Sequence, residues 1–309
     1  MTITAKLVTL LAACGLAGLA VAPARADPLP VPYGQVEMLR TAVTNWNGPV
    51  SGANDYNCKP APEHPDPVVL ITSTFLSDTV NWTALAPYLH NQGYCVFTFN
   101  YGRDMYNLPP GLTGLDPIAL SAKTIVGVVD QVLAATGAEK VDLVGHSQGG
   151  LVGRYYINAL GGIDKVGKMV LLSSPWQVLG PFDITGPIGD ILPRELYDAI
   201  VRNGVLWPGL LAIADPWVFK QVSVIQPHIQ YTQITDIADE MNLSTLGGMA
   251  NTQAVPNART EWINQVCPTD FSQHFAQPYS PTAVALVGNA LDPEHPVVAP
   301  CTIVPLYAP

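Results

Sequence analysis

Residues 140–150 read KVDLVGHSQGG: a short run, Lys140 to Val144, followed by Gly145-His146-Ser147-Gln148-Gly149 and then Gly150. The run reads as a strand, and residues 148–160 read as a helix. A serine flanked in this way sits on a sharp strand-to-helix turn. The turn forces Ser147 into a strained conformation and exposes its hydroxyl above the sheet. Gly145 and Gly149 leave room for the neighbouring strand and helix. A helix beginning near Gln148 adds backbone donors and the positive end of its dipole where negative charge would develop.

On either side of this turn the chain alternates strand and helix. Pro67 to Thr72 (PVVLIT) and Tyr94 to Phe99 (YCVFTF) read as strands, and Asn81 to Asn91 between them has helical spacing ended by Gly93. A Gly- and Pro-rich loop leads to a helix from about Pro117 to Ala135, ended by Gly137. Val166 to Leu172, Ile229 to Ile234 and Trp262 to Val266 read as further strands, and a last helix runs from about Pro281 to Leu291. Repeated strand–helix–strand units imply an α/β fold with a mainly parallel central sheet and helices on both faces. Residues 173–228 break the rhythm with several prolines and the apolar stretch Val205 to Phe219. Long irregular insertions are often functional lids or caps. Packing of Leu206, Trp207 and Leu210 onto the core explains the same composition, and apolar content does not separate the two.

The beginning of the chain reads as an export signal. Lys6 supplies the positive region, Leu7 to Val21 the apolar region, and Ala24-Arg25-Ala26 the small-residue cleavage site. Those 15 residues are too few to span a bilayer comfortably, and no later stretch does better. A lipoprotein-like box at Leu11-Ala12-Ala13-Cys14 is the rival reading. The domain plan is thus a signal peptide at 1–26 and one domain at 27–309, with the cap insertion at about 173–228. The 309 residues, 48% hydrophobic and 12% charged, suffice for one large core. Cleavage after Ala26 removes Lys6 and Arg25 and no acidic residue, leaving 12 basic against 24 acidic residues, a charge of −12. That balance argues against nucleic acid and anionic membrane surfaces as partners. Four cysteines remain, Cys58, Cys95, Cys267 and Cys301, in a spacing that fits no metal site. Of three possible pairings, Cys58–Cys95 and Cys267–Cys301 join segments expected to be neighbours at one edge of the fold.

Serine is a weak nucleophile and requires a base. The partners of a serine on such a turn follow it in the order acid, then histidine. His64 and His90 precede Ser147, with His90 on a helix surface, and His146 belongs to the turn itself. His228 leaves no room for an acid before it, and His295 lies in a Pro-rich tail. His274 follows the last strand by a short loop, which suits a base reaching back over the sheet. The acid belongs just past Ile229 to Ile234: Asp239 first, Asp236 second, with Glu240 read as a surface charge.

At these residues the sequence resembles secreted bacterial lipases and esterases of the α/β-hydrolase fold. The likeness runs from about Gly52 to Asp292, about three-quarters of the chain. It rests on Asn54 to Pro60, on Asn81-Trp82-Thr83-Ala84-Leu85 with Tyr94 to Phe97, and on Gly145 to Gly150. Tyr231 to Ile234 with Asp239-Glu240, Val266-Cys267-Pro268 with His274, and Asn289 to Asp292 complete it. The resemblance implies Ser147 as nucleophile, Asp239 as acid, His274 as base, and the backbone N–H groups of Thr74 and Gln148 as oxyanion donors. It departs in two places. Thr72-Ser73-Thr74-Phe75 stands where the family shows His-Gly, and Ser73 replaces a glycine that permits a conformation other residues reach only with strain. Ser174-Pro175-Trp176-Gln177 replaces a second His-Gly pair.

The expected activity is hydrolysis of carboxylic esters, with lipid acyl esters as substrate class, through an acyl-enzyme and without cofactor or metal. Acyl transfer on the same residues, and a lipid-binding protein that lost catalysis at Thr72-Ser73, are the alternatives. The expected partners are a lipid or small-molecule ester and a transient lipid interface, for a secreted monomer. Asn81-Trp82-Thr83 and Asn242-Leu243-Ser244 fit the glycosylation pattern.

Overall fold

Among the described residues six short segments form the strands: β1 (Val68–Ile71), β2 (Val96–Phe99), β3 (Val141–His146), β4 (Val166–Leu172), β5 (Gln230–Thr235) and β6 (Ala258–Trp262). The computed structural model describes residues 27–103, 112–175, 195–196, 216–241 and 255–306. The strands pair in the order β2-β1-β3-β4-β5-β6, and every pairing is parallel. The sheet passes from β1 to β3 with Leu70 opposite Val144, and from β4 to β5 with Leu172 opposite Ile234.

Side chains alternate between the two faces of a strand, and here both faces are buried. Val69, Ile71, Leu143, Met169, Leu171 and Tyr231 join one core, while Val68, Leu70, Val144, Val170, Leu172 and Ile234 join the other. The first core is covered by α4 (Ile118–Thr136), α5 (Gln148–Ala159) and α6 (Pro216–Val222). The second is covered by α2 (Asp78–Trp82), α3 (Leu85–Asn91) and α8 (Pro281–Leu291). The α/β architecture read from the sequence is therefore the one present. α1 (Gln35–Thr44) lies against α2, and α7 (Ile263–Val266) leads out of β6.

Local chemistry explains most boundaries. Ser280 caps α8 by accepting from the Ala283 N–H, and Pro281 occupies the first turn, where its missing donor costs nothing. Gly137 ends α4 in the left-handed conformation, φ 80°. α4 is long and apolar enough to cross a membrane, contrary to the expectation that no later stretch qualifies. Its Ile118, Ile125, Val129 and Val132 are fully buried in the first core.

Two expectations are corrected. The helix read over Asn81 to Asn91 is two helices, beginning earlier at Asp78 behind the Ser77 cap. Pro87 would clash with the carbonyl of residue 83 in a continuous helix, whereas in the first turn of α3 it is tolerated. The strand read over Trp262 to Val266 is β6 at Ala258–Trp262 followed by α7. β6 is an edge strand and only its Trp262 is buried, so it lacks the apolar signature of the inner strands.

Both expected disulfides are present. Cys58–Cys95 ties the 55–60 loop to the entrance of β2, and Cys267–Cys301 ties the segment after α7 to the C-terminal tail. Most of the 173–228 segment, with Leu206, Trp207 and Leu210, lies outside the described residues. At its far end, Val218 and Val222 of α6 pack into the first core.

Candidate active site

Because all strands run parallel, the loops after β1, β3, β4 and β5 emerge at one edge of the sheet. Ser147 stands between β3 and α5 with φ 54° and ψ −124°, a conformation that an L-residue holds only where the surroundings enforce it. Its N–H donates to the Leu172 carbonyl, 3.0 Å, which anchors the turn to β4. A side chain at Gly149 would lie 2.2 Å from the Ile71 carbonyl oxygen, so only glycine lets α5 approach β1 this closely.

His274 lies in the loop before α8 and is buried. Its Nε2 is 2.7 Å from Ser147 Oγ, and its Nδ1 is 2.9 Å from Asp239 Oδ1. The structure thus brings together the three residues singled out as nucleophile, base and acid. Asp239 is buried, and among the described residues Met241, His274, Ser173 and Gln277 donate to it. Met241 N–H and His274 Nδ1–H reach Oδ1, while the Ser173 hydroxyl and Gln277 Nε2 reach Oδ2. Burial opposes ionisation of Asp239. The hydrogen bond and charge of His274, with the Ser173 hydroxyl and the Met241 N–H, outweigh it and hold the carboxyl below its ordinary range.

The other candidates lie elsewhere. Asp236 is buried three residues before Asp239 and accepts from the Ala238 N–H, 2.7 Å, which shapes the loop that presents Asp239. Burial pushes its carboxyl up to about 7. His228 is exposed beside the Ile163 carbonyl, and His295 is exposed beside Asp292. His90 is an exposed residue near the end of α3. Glu240 is exposed but is more than a surface charge, since its Oε2 accepts the His274 N–H at 3.2 Å.

His146, inside the turn, is fully buried and held neutral, its imidazole pushed down to about 3 by burial and by His274 nearby. Its Nε2–H donates to the His274 carbonyl at 3.0 Å, so the turn carrying Ser147 also holds the backbone of His274. His146 Nδ1 lies 2.9 Å from Asn81 Oδ1, which accepts the Ser73 N–H at 3.0 Å. Asn81 is fully buried in this contact and presents no glycosylation site.

The loop after β1 places buried Thr74 between two anchors: Ser73 N–H on Asn81, and Phe75 N–H on the Thr113 carbonyl, 2.9 Å. The left-handed backbone falls on Phe75, φ 72°, and not on Ser73. Replacing the family glycine by Ser73 therefore introduces no strain there. A Cβ on Gly114 would come within 3.0 Å of Thr74 Cα and 2.9 Å of Gln148 Oε1, so that glycine lets the loop meet the head of α5.

Three supporting residues were not foreseen: Ser173, Gln277 and Asn81. Ser173 was visible only as the first residue after an apolar strand, and nothing in its neighbours pointed toward Asp239. Among the described residues, no group of three His, Cys, Asp or Glu side chains could hold a metal ion.

Residues 67–189 match the family described as alpha/beta hydrolase fold. Over 94 residues the chain is 35% identical to a triacylglycerol lipase of Pseudarthrobacter phenanthrenivorans, covering 29% of this chain and 27% of that protein. A triacylglycerol lipase of Burkholderia plantarii matches at 35% over 94 residues, 29% of this chain and 24% of that protein. The matched stretch spans about a quarter of the length of these relatives. Lipase B of Aspergillus fumigatus is similar in structure with a TM-score of 0.50 at 15% identity, covering 81% of this chain and 56% of that one. At that identity the likeness concerns the fold alone.

Proposed function

Starting from a chain with the α/β-hydrolase fold, we propose that this protein hydrolyses carboxylic esters, with lipid acyl esters as its substrate class. The observation that carries the reading is the unbroken series Ser147 Oγ, His274 and Asp239, joined at 2.7 and 2.9 Å. The names of the two relatives, both triacylglycerol lipases, add the substrate class.

In the proposed mechanism His274 Nε2 takes the hydroxyl proton as Ser147 Oγ attacks the ester carbonyl carbon. The N–H groups of Thr74 and Gln148 receive the resulting oxyanion; loss of one such donor costs about 10²–10³ in rate. Collapse breaks the bond to the alcohol oxygen, which leaves with the proton from His274. Water then repeats the sequence on the acyl-Ser147 and releases the acid. Asp239, held ionised, keeps the imidazole oriented and stabilises its positive form. The ordinary backbone at Ser73 supports catalysis over a binding protein that lost it through a strained loop. The two disulfides suit an oxidising compartment, in keeping with export and cleavage after Ala26. The protein would act as a monomer that meets lipid interfaces transiently.

Hydrolysis of p-nitrophenyl esters of increasing chain length, beside Ser147→Ala, tests the proposal. Turnover that falls on the order of 10⁴-fold or more in the variant, with unchanged thermal unfolding, is expected. Equal turnover in the variant would refute the assignment. An added alcohol that captures most of the acyl group would turn the reading to acyl transfer.

A further inference from the structure

Among the described residues, four other than glycine have a left-handed backbone: Asn54, Phe75, Ser147 and Ser173. Three of them surround the site. Phe75 follows the oxyanion loop, Ser147 is the nucleophile, and Ser173, φ 50°, is the first residue after β4. Such strain persists where the surroundings over-determine it. Ser173 is fully buried, its N–H bound to the Ile234 carbonyl at 2.8 Å. Its hydroxyl contacts two other members of the site: Asp239 Oδ2 and His274 Nδ1, the latter at 2.8 Å.

We infer that Ser173 is a positioning residue of this site, holding His274 in the tautomer and orientation that leave Nε2 free to take the Ser147 proton. The inference rests on the hydrolase reading above. A serine hydroxyl has one proton and two lone pairs. An ionised carboxylate only accepts, so the Ser173 proton points to Asp239 Oδ2. The remaining lone pairs then face His274 Nδ1 and accept its N–H, which Asp239 Oδ1 also accepts at 2.9 Å. The Nδ1 proton is thereby shared between two acceptors, and Nε2 is left as the base. The same hydroxyl joins Gln277 Nε2 in fixing the plane of the Asp239 carboxylate.

Two substitutions separate the hydroxyl from the backbone. Ser173→Ala keeps the Cβ and the strained conformation but removes the oxygen, whereas Ser173→Gly removes the oxygen and relieves the strain. Both are expected to lower kcat by about 10–100-fold with KM unchanged, the scale of a mispositioned reacting group. Ser173→Gly should nevertheless unfold at or above the wild-type temperature. The low-field proton resonance of His274 Nδ1–H should move in both. Wild-type kcat and an unmoved resonance in both variants would overturn the inference, and slowing in Ser173→Gly alone would assign the effect to the backbone. Should the wild type show no Ser147-dependent turnover, the hydrolase reading fails by itself, and the Nδ1–H resonance still decides whether Ser173 holds the imidazole.

Discussion

The two edges of the sheet each bury an aspartate beside a base at the same distance, and the two behave in opposite ways. At the carboxyl edge, Asp239 is 2.9 Å from His274 Nδ1 and its carboxyl is held below the ordinary range. At the amino edge, Asp142 of β3 is 2.9 Å from Lys168 Nζ, yet burial pushes its carboxyl up to about 7. Distance to the partner therefore does not set the charge state. Asp239 receives donors from the described residues on both oxygens. Among the described residues Asp142 Oδ1 has no hydrogen-bonding side-chain partner, and the nearby Asp66 carboxylate raises Asp142 further. A buried carboxylate stays ionised when both oxygens are satisfied, and a single ion pair does not replace lost water. Only the first arrangement suits a residue that must stabilise an imidazolium.

The sharpest way to break this contrast is to neutralise each carboxylate. Asp239→Asn should lower kcat on the order of 10⁴-fold, because the amide no longer holds the required tautomer. Asp142→Asn should leave kcat within about twofold, since that residue is at the opposite edge. A comparable loss in both would erase the distinction between the edges.

Acid–base linkage gives two smaller effects of opposite sign. The raised Asp142 group contributes stability below its unfolded value of 3.8, and this is lost as pH rises through about 7. Wild type should therefore lose a few kcal/mol relative to Asp142→Asn between about pH 4 and pH 7, read by denaturant unfolding. His146 is neutral in the folded state down to about 3, against 6.5 when unfolded. Protonation of the unfolded chain then destabilises the fold as pH falls through that window, by about 1.4 kcal/mol per pH unit. The stability lead of wild type over His146→Gln should narrow at that rate, and a constant lead would show that His146 takes up a proton in place.

How much of this was legible beforehand depended on whether the signal was local. The turn at Ser147 was, because a strand, a glycine-flanked serine and a helix follow one another within twenty residues. His274 and Asp239 were reachable through chain order, which survives folding as a constraint on which loops share an edge. β1 and α8 were equally plain, since burial on both faces favours a continuous apolar run such as Val68–Ile71 and Pro281 suits the first turn of a helix. β6 was misread because an edge strand with one buried residue has no such run.

What the amino-acid order determined by itself is the alternation of buried strands and covering helices and the choice of Ser147, Asp239 and His274 as the residues proposed for nucleophile, acid and base. Periodicity, caps and turn residues act over a few neighbours and can be read along the chain. The satisfaction of both Asp239 oxygens, the anchoring of His274 by His146 and Glu240, and the recruitment of Ser173 were decided only by the tertiary structure. Each depends on groups from different strands meeting in a water-poor space, where the number and direction of hydrogen bonds set charge and orientation.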